Sequence, residues 1–137
     1  MSRGTAVETL KRLYAALNAG DRDTALSCLT DDVVFDTLSG VREIGRDRVR
    51  WALAERGRSF AETYRDLALM CDEGGRRAAA EFTLRGTYQA DAPGLPTASG
   101  QSFSVAGGAF FDVEPGGRLS RASFYANAAD LVRQLAK

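Results

Sequence analysis

The stretch Tyr14-Ala15-Ala16-Leu17-Asn18-Ala19-Gly20-Asp21 and the run Leu29-Thr30-Asp31-Asp32-Val33-Val34-Phe35-Asp36-Thr37 decide the architecture between them. Upstream and through the first, Val7, Leu10, Leu13, Tyr14 and Leu17 recur at helical spacing, which predicts a helix over Thr5 to Ala19. Gly20 can end it in a left-handed turn, and Asp21 can cap a second helix whose inner face would be Ala25, Leu26 and Leu29. Asp31-Asp32 then breaks the pattern. Val33 to Thr37 is short and rich in β-branched residues, so it reads as a strand.

Working outward, Gly45 precedes a third helix with Val49, Ala52 and Leu53 on one side, ending near Gly57. The period then changes to two. Leu67, Leu69 and Cys71 alternate with Asp66, Ala68 and Met70 up to the turn signal Glu73-Gly74-Gly75. Ala78 to Tyr88 is the next strand, with Glu81, Thr83 and Arg85 on one face and Phe82 and Leu84 on the other. Glu81 and Arg85, sharing that outer face, are expected to pair. Asp91 to Pro96 is a loop, because its two prolines cannot sit inside a sheet. Ser102 to Val113 and Leu119 to Tyr125 are further strands joined by Glu114-Pro115-Gly116-Gly117, and Asn127 can cap a last short helix holding Leu131, Val132 and Leu135. The order is helix, helix, strand, helix, four antiparallel strands, helix: one α+β domain over residues 1–137.

Among 137 residues there is no histidine, and 18 Lys+Arg balance 18 Asp+Glu. Imidazole bases, Ser-His-Asp hydrolysis and His-rich metal sites are thereby excluded. A base must be a carboxylate, tyrosinate, lysine or cysteine, and the two lysines, Lys11 and Lys137, lie near the termini. Zero net charge offers no footprint for nucleic acid or an anionic membrane surface, the basic cluster from Arg42 to Arg58 is interleaved with Glu43, Asp47 and Glu55 and reads as a solvated helix face, and no apolar run reaches membrane-spanning length. Cys28 and Cys71 sit among apolar neighbours and read as buried thiols of a cytoplasmic protein. No glycine-rich phosphate loop or metal-ligand spacing occurs, so neither cofactor nor metal is expected.

The Tyr14–Asp21 and Leu29–Val33 segments resemble the opening of the nuclear transport factor 2-like superfamily. Ala79-Ala80-Glu81-Phe82, Gly86-Thr87-Tyr88, Leu95-Pro96, Gly100-Gln101 and Gly108-Ala109-Phe110-Phe111 are similar to its bacterial ketosteroid isomerase-related subgroup. The resemblance spans nearly the whole chain. It implies a cone: three N-terminal helices packed on a curved, mostly antiparallel sheet, closed by a short C-terminal helix. It also implies a homodimer through the outer sheet face, which would otherwise expose Thr83, Tyr88, Phe110 and Tyr125.

The isomerase's base ends the first strand. Counting from Asp31-Asp32 puts Thr37 there, whereas a strand one residue shorter, as the subgroup suggests, puts Asp36 there. In the second case, an aspartate amid Val34, Phe35 and Leu38 would be desolvated, with its pKa raised toward a useful base. The tyrosine donor position falls on Leu13, one residue before Tyr14, and the position of the protonated acid falls on Gly108 or Ala109. Genuine steroid isomerisation is therefore not expected. The subgroup's Asn-Tyr-Tyr-Asn at the last strand reads Phe124-Tyr125-Ala126-Asn127, matching at Tyr125 and Asn127. The superfamily's facing pattern lines the pocket with Trp51, Tyr64, Phe82, Leu84, Gly86, Phe111, Ala122 and Phe124.

The resulting expectation is a cofactor-independent isomerase, cyclase or dehydratase acting on an apolar carbonyl-bearing or polycyclic small molecule. Asp36 would be the base, with Tyr14, Tyr125 or Asn127 on the oxygen. The alternatives are a non-catalytic module binding a hydrophobic small molecule, or a dimerisation or partner-binding module.

Overall fold

The computed structural model describes residues 2–137. Helix α1 (Arg3–Ala19) is capped by the Ser2 hydroxyl, and α2 (Arg22–Ser27) by the Asp21 carboxylate. Gly20 closes α1 at φ 72°, a left-handed turn that costs glycine nothing. Strands β1 (Leu29–Asp36) and β2 (Arg42–Ile44) precede α3 (Arg46–Ser59); β3 (Phe60–Cys71), β4 (Arg77–Tyr88), β5 (Gln101–Val113) and β6 (Leu119–Ala126) follow, then α4 (Ala128–Leu135). The six strands form one sheet in the order β2-β1-β6-β5-β4-β3. Only β1 and β6 run parallel; the other neighbours are antiparallel. The architecture is the α+β, nuclear transport factor 2-like fold.

Strand alternation sends Phe82 and Leu84 of β4, Phe103, Val105, Ala109 and Phe111 of β5, and Ala122 and Phe124 of β6 to the inner face. There they meet Leu10, Leu13 and Tyr14 of α1 in one core. Burying such side chains is worth roughly 1.5–3 kcal/mol each. Asn18 of α1 covers the free edge of β3: its amide donates to the Tyr64 carbonyl at 2.9 Å and accepts from the Tyr64 amide at 2.7 Å. At Tyr64 this occupies an edge that would otherwise invite another strand.

Helix α3 is anchored differently. Only Val49 and Ser59 of it are buried. Ion pairs hold it instead, Arg46 to Asp31, Arg48 to Glu43, Arg50 to Asp23 and Arg56 to Glu62.

Several expectations need correction. Leu29 begins β1 rather than ending α2, and β2, three residues of which two are charged, was not expected at all. Strand β3 starts at Phe60, before the Leu67–Cys71 alternation. A bulge between Arg65 and Ala68, with Asp66 at φ 53°, shifts the register there and hides the earlier half of the strand from a period-two reading. Tyr88 is fully buried rather than outward. It shares parity with Phe82 and Leu84, and its hydroxyl donates to the Pro96 carbonyl at 2.7 Å while accepting from the Ala92 amide at 2.9 Å. Glu81 and Arg85 form no ion pair among the described residues; four strand positions separate them by about 13 Å. Cys71 is half-buried rather than buried, and both cysteines are free thiols.

Candidate functional site

Neighbouring residues of β1 point to opposite sides of the sheet. Val33 and Phe35 enter the core, with the Phe35 ring 5.4 Å from that of Phe124. Asp36 therefore faces outward, opposite Ser123 of β6. Arg42 of β2 grips it through Nε at 2.7 Å and Nη2 at 3.1 Å, and the Ser123 hydroxyl donates to it at 2.6 Å. Arg121 donates to the Ser123 oxygen at 2.9 Å and pairs with Asp112 at 3.0 Å, so the polar chain continues across the outer face. The Arg42 guanidinium holds the Asp36 carboxyl below the usual carboxylate range, with the Ser123 hydrogen bond and the Arg42 and Arg121 charges acting the same way against a smaller desolvation. The expectation of an inward aspartate with a raised pKa is corrected on both counts: strand parity sends it outward, and its partners lower the pKa. Thr37, the other reading, is occupied in the β1–β2 turn, where its hydroxyl donates to the Val41 carbonyl and accepts from the Val41 amide.

The remaining expected residues do not converge. Tyr125 is exposed on the outer face, its ring 6.0 Å from Phe110. Asn127 caps α4, its side chain accepting from the Asp130 amide at 3.1 Å. Trp51 is more than half exposed on α3 with the Arg48 guanidinium 4.8 Å above it, so it is not a lining residue; helical phase turns it away from Val49. Phe82, Leu84, Phe111, Ala122 and Phe124 are packed in the core. Tyr14, fully buried, stands among Tyr64, Phe82, Phe111 and Phe124, with ring centroids 5.2 to 6.4 Å away.

Only Tyr64 and Gly86 of the expected lining border the main cleft, a space of about 750 Å³ between the α1–α2 corner, the end of α3 and the start of β3. Gly86 is bare for a reason: a Cβ there would collide with the Ala61 carbonyl and Glu62 of β3, which crosses close over it. Glu62 and Arg56 also line the cleft, joined as a two-pronged ion pair with both contacts at 2.8 Å. Arg56 lies 3.9 Å over the Phe60 ring, which fixes its plane.

Behind this pair stand two tyrosines. Burial pushes the Tyr64 hydroxyl far above its ordinary pKa, and the Glu62 charge adds to that. Burial does the same to Tyr14, with Tyr64 as the lesser cause. Both therefore remain protonated at any ordinary pH and can donate hydrogen bonds, not act as bases. The Tyr14 hydroxyl is a buried polar atom with no hydrogen-bond partner, an unmet bond that costs about 1–3 kcal/mol. The sequence reading missed Glu62, because the bulge concealed the strand carrying it, and Arg56, because a run rich in arginine and acids reads as a solvated face. Glu43, on the other sheet edge opposite Phe35, was missed with β2; it is buried and bound to Arg48.

A SnoaL-like domain matches residues 10–122. The chain is 39 % identical to a candidate polyketide cyclase of Pseudomonas putida KT2440 over 98 % of each chain, with a TM-score of 0.91. It is 36 % identical to one of Xanthomonas campestris pv. campestris over 97 % and 98 % of the two chains, TM-score 0.92. A third, from Silicibacter sp. TM1040, is 33 % identical over 99 % and 98 %, TM-score 0.93. No curated protein matches the chain. No helix among the described residues is long and apolar enough to cross a membrane.

Proposed function

Since the chain belongs to the SnoaL-like domain family, we propose that it is a cofactor-independent isomerase or cyclase that enolises a carbonyl-bearing, largely apolar small molecule in the cleft. One observation carries this reading: Tyr64, a cleft-lining tyrosine kept protonated by burial, stands near the cleft-lining Glu62 carboxylate, with the unpartnered Tyr14 hydroxyl in the aromatic group behind it. A ligand oxygen seated in the cleft would give the Tyr64 donor an acceptor.

Glu62 replaces Asp36 as the base. Its oxygens have about four lone-pair sites, and the Arg56 fork occupies one on each, which leaves acceptor capacity facing the cleft. The α-proton passes to the Glu62 carboxylate, the C–H electron pair moves through the carbon–carbon bond onto the carbonyl oxygen, and Tyr64 stabilises the enolate by donating a hydrogen bond. Return of the proton at another carbon gives isomerisation; attack of the enolate carbon on a second carbonyl of the same molecule closes a ring.

The test is deuterium exchange at the methyl group of 2-acetylnaphthalene in D₂O, followed by NMR. The protein is expected to accelerate exchange, and Glu62→Gln to slow it by roughly a hundredfold. Asp36→Asn should leave the rate unchanged. A fully active Glu62→Gln protein sinks the proposal.

The Arg56 fork also favours a second reading, non-catalytic binding of a hydrophobic ligand, because it already engages both oxygens of the carboxylate. Ligand retained in native mass spectrometry without any exchange would select it. The outer face, with Phe110 and Tyr125 about half exposed, is proposed to join two copies of the chain. Sedimentation of a Tyr125→Arg variant as monomer, against a dimeric parent, checks this.

A further inference from the structure

Helix α3 is lightly seated for its length, and its C-terminal half walls the cleft through Leu53, Arg56 and Gly57. Of its 14 residues only Val49 and Ser59 are buried, whereas α1 buries Ala6, Thr9, Leu10, Leu13, Tyr14 and Ala16. No side chain caps its first turn, and Gly57 near its end is a poor helix former. Trp51, its largest side chain, is more than half exposed. Few buried apolar contacts mark a segment that opens locally at far smaller cost than unfolding the whole domain.

What holds α3 is charge. Arg46 reaches Asp31 of β1, Arg48 reaches Glu43 of β2, Arg50 reaches Asp23 of α2 and Arg56 reaches Glu62 of β3, at 2.8 to 3.1 Å. In the first three pairs at least one side chain is more than half exposed, so water and dissolved ions compete for it. The Arg50–Asp23 pair ties α3 to α2, whose first residue, Arg22, stands at the cleft. The Arg56–Glu62 pair is more shielded and lies beside the buried junction where Ser59 of α3 runs directly into Phe60 of β3.

We infer that α3 is a movable wall of the cleft, latched by its exposed ion pairs, and that an uncharged, apolar ligand enters when those pairs part. The helix tilts about the Ser59–Phe60 junction, which draws Leu53 away from the α1–α2 corner and widens the opening. Salt screens the latching pairs and so favours the open form, whereas it has no long-range steering to remove from an uncharged ligand. The inference goes beyond the proposed function and rests on it only for the cleft's being the ligand site.

Hydrogen exchange of the full chain, followed by mass spectrometry, needs neither ligand nor turnover. Raising sodium chloride from about 0.01 M to about 1 M should speed exchange in α3 by about fivefold to tenfold and leave α1 within about twofold. The double variant Asp23→Asn with Asp31→Asn, both outside α3, should speed α3 by about threefold at low salt and shrink its response to salt. Equal salt responses in α1 and α3, or none in α3, overturn the inference. Entry is read by stopped flow as 2-acetylnaphthalene quenches Trp51, the chain's only tryptophan. The rate should level off with probe concentration at the opening rate, and that ceiling should rise with salt and in the double variant. A rate that climbs without levelling, or a ceiling indifferent to salt, overturns the lid. A salt-responsive α3 with no probe binding by calorimetry keeps the opening, strikes ligand entry from the inference and counts against the proposed function.

Discussion

The two faces of the sheet meet the same strands with opposite chemistry. On the inner face, Phe35 of β1 and Phe124 of β6 pack ring to ring at 5.4 Å within the aromatic group around Tyr14. One residue along each strand, Asp36 and Ser123 meet at 2.6 Å in a chain of arginines and aspartates. Around Asp36 the outer face satisfies its polar atoms with one another; the inner face leaves the Tyr14 hydroxyl without a partner. A closed network holds a structure together, whereas the inner side also carries Tyr64 and Glu62 at the wall of the cleft, where a ligand can add something. On that contrast the outer aspartate is a tie between β1, β2 and β6, and the chemistry belongs to the inner side.

The largest way to break the contrast is Phe124→Ala, which removes the ring shared by Tyr14, Tyr64, Phe82 and Phe111. Urea denaturation should show a loss of about 3–5 kcal/mol. Next comes Gly86→Ala, whose new methyl must displace the β3 backbone at Ala61; a loss of about 1–3 kcal/mol, with a distorted cleft, is expected.

Asp36→Asn should cost about 1 kcal/mol, since its side chain keeps some contact with solvent. Its pH dependence sharpens the point. The folded-state pKa is lowered, so the carboxylate's contribution is whole above its ordinary unfolded value and is lost as pH falls through the folded value. The stability gap between parent and variant should therefore hold steady from about pH 5 to 8 and close below about pH 4. Smallest in stability is Tyr14→Phe. Deleting a hydroxyl that has no partner should leave stability unchanged or raise it by less than about 1 kcal/mol in urea denaturation. A large destabilisation there would mean that the hydroxyl is already satisfied within the fold.

Much of the fold was legible because its signals are local. The caps at Asp21 and Asn127, the stop at Gly20 and the apolar period of α1 each act within a few residues. Strand β2 was not, because three residues with two charges carry no period, and their pairing with β1 is set by a turn that Thr37 ties. The site was less legible still. Which face Asp36 took depended on where β1 pairs with β6, a parallel contact between residues far apart in sequence that fixes the parity of every side chain on the strand. Glu62 was hidden behind the Asp66 bulge. The arginines of α3 looked like solvated surface until the folded chain brought Glu43 and Glu62 beneath them.

The most direct test of the inner-face assignment is amide chemical-shift mapping of the ¹⁵N-labelled protein titrated with 2-acetylnaphthalene. The account predicts saturable shifts at Leu17, Phe60, Glu62 and Tyr64, with Asp36, Ser123 and Tyr125 unmoved. Shifts centred on Asp36 and Ser123, with the cleft silent, would contradict it.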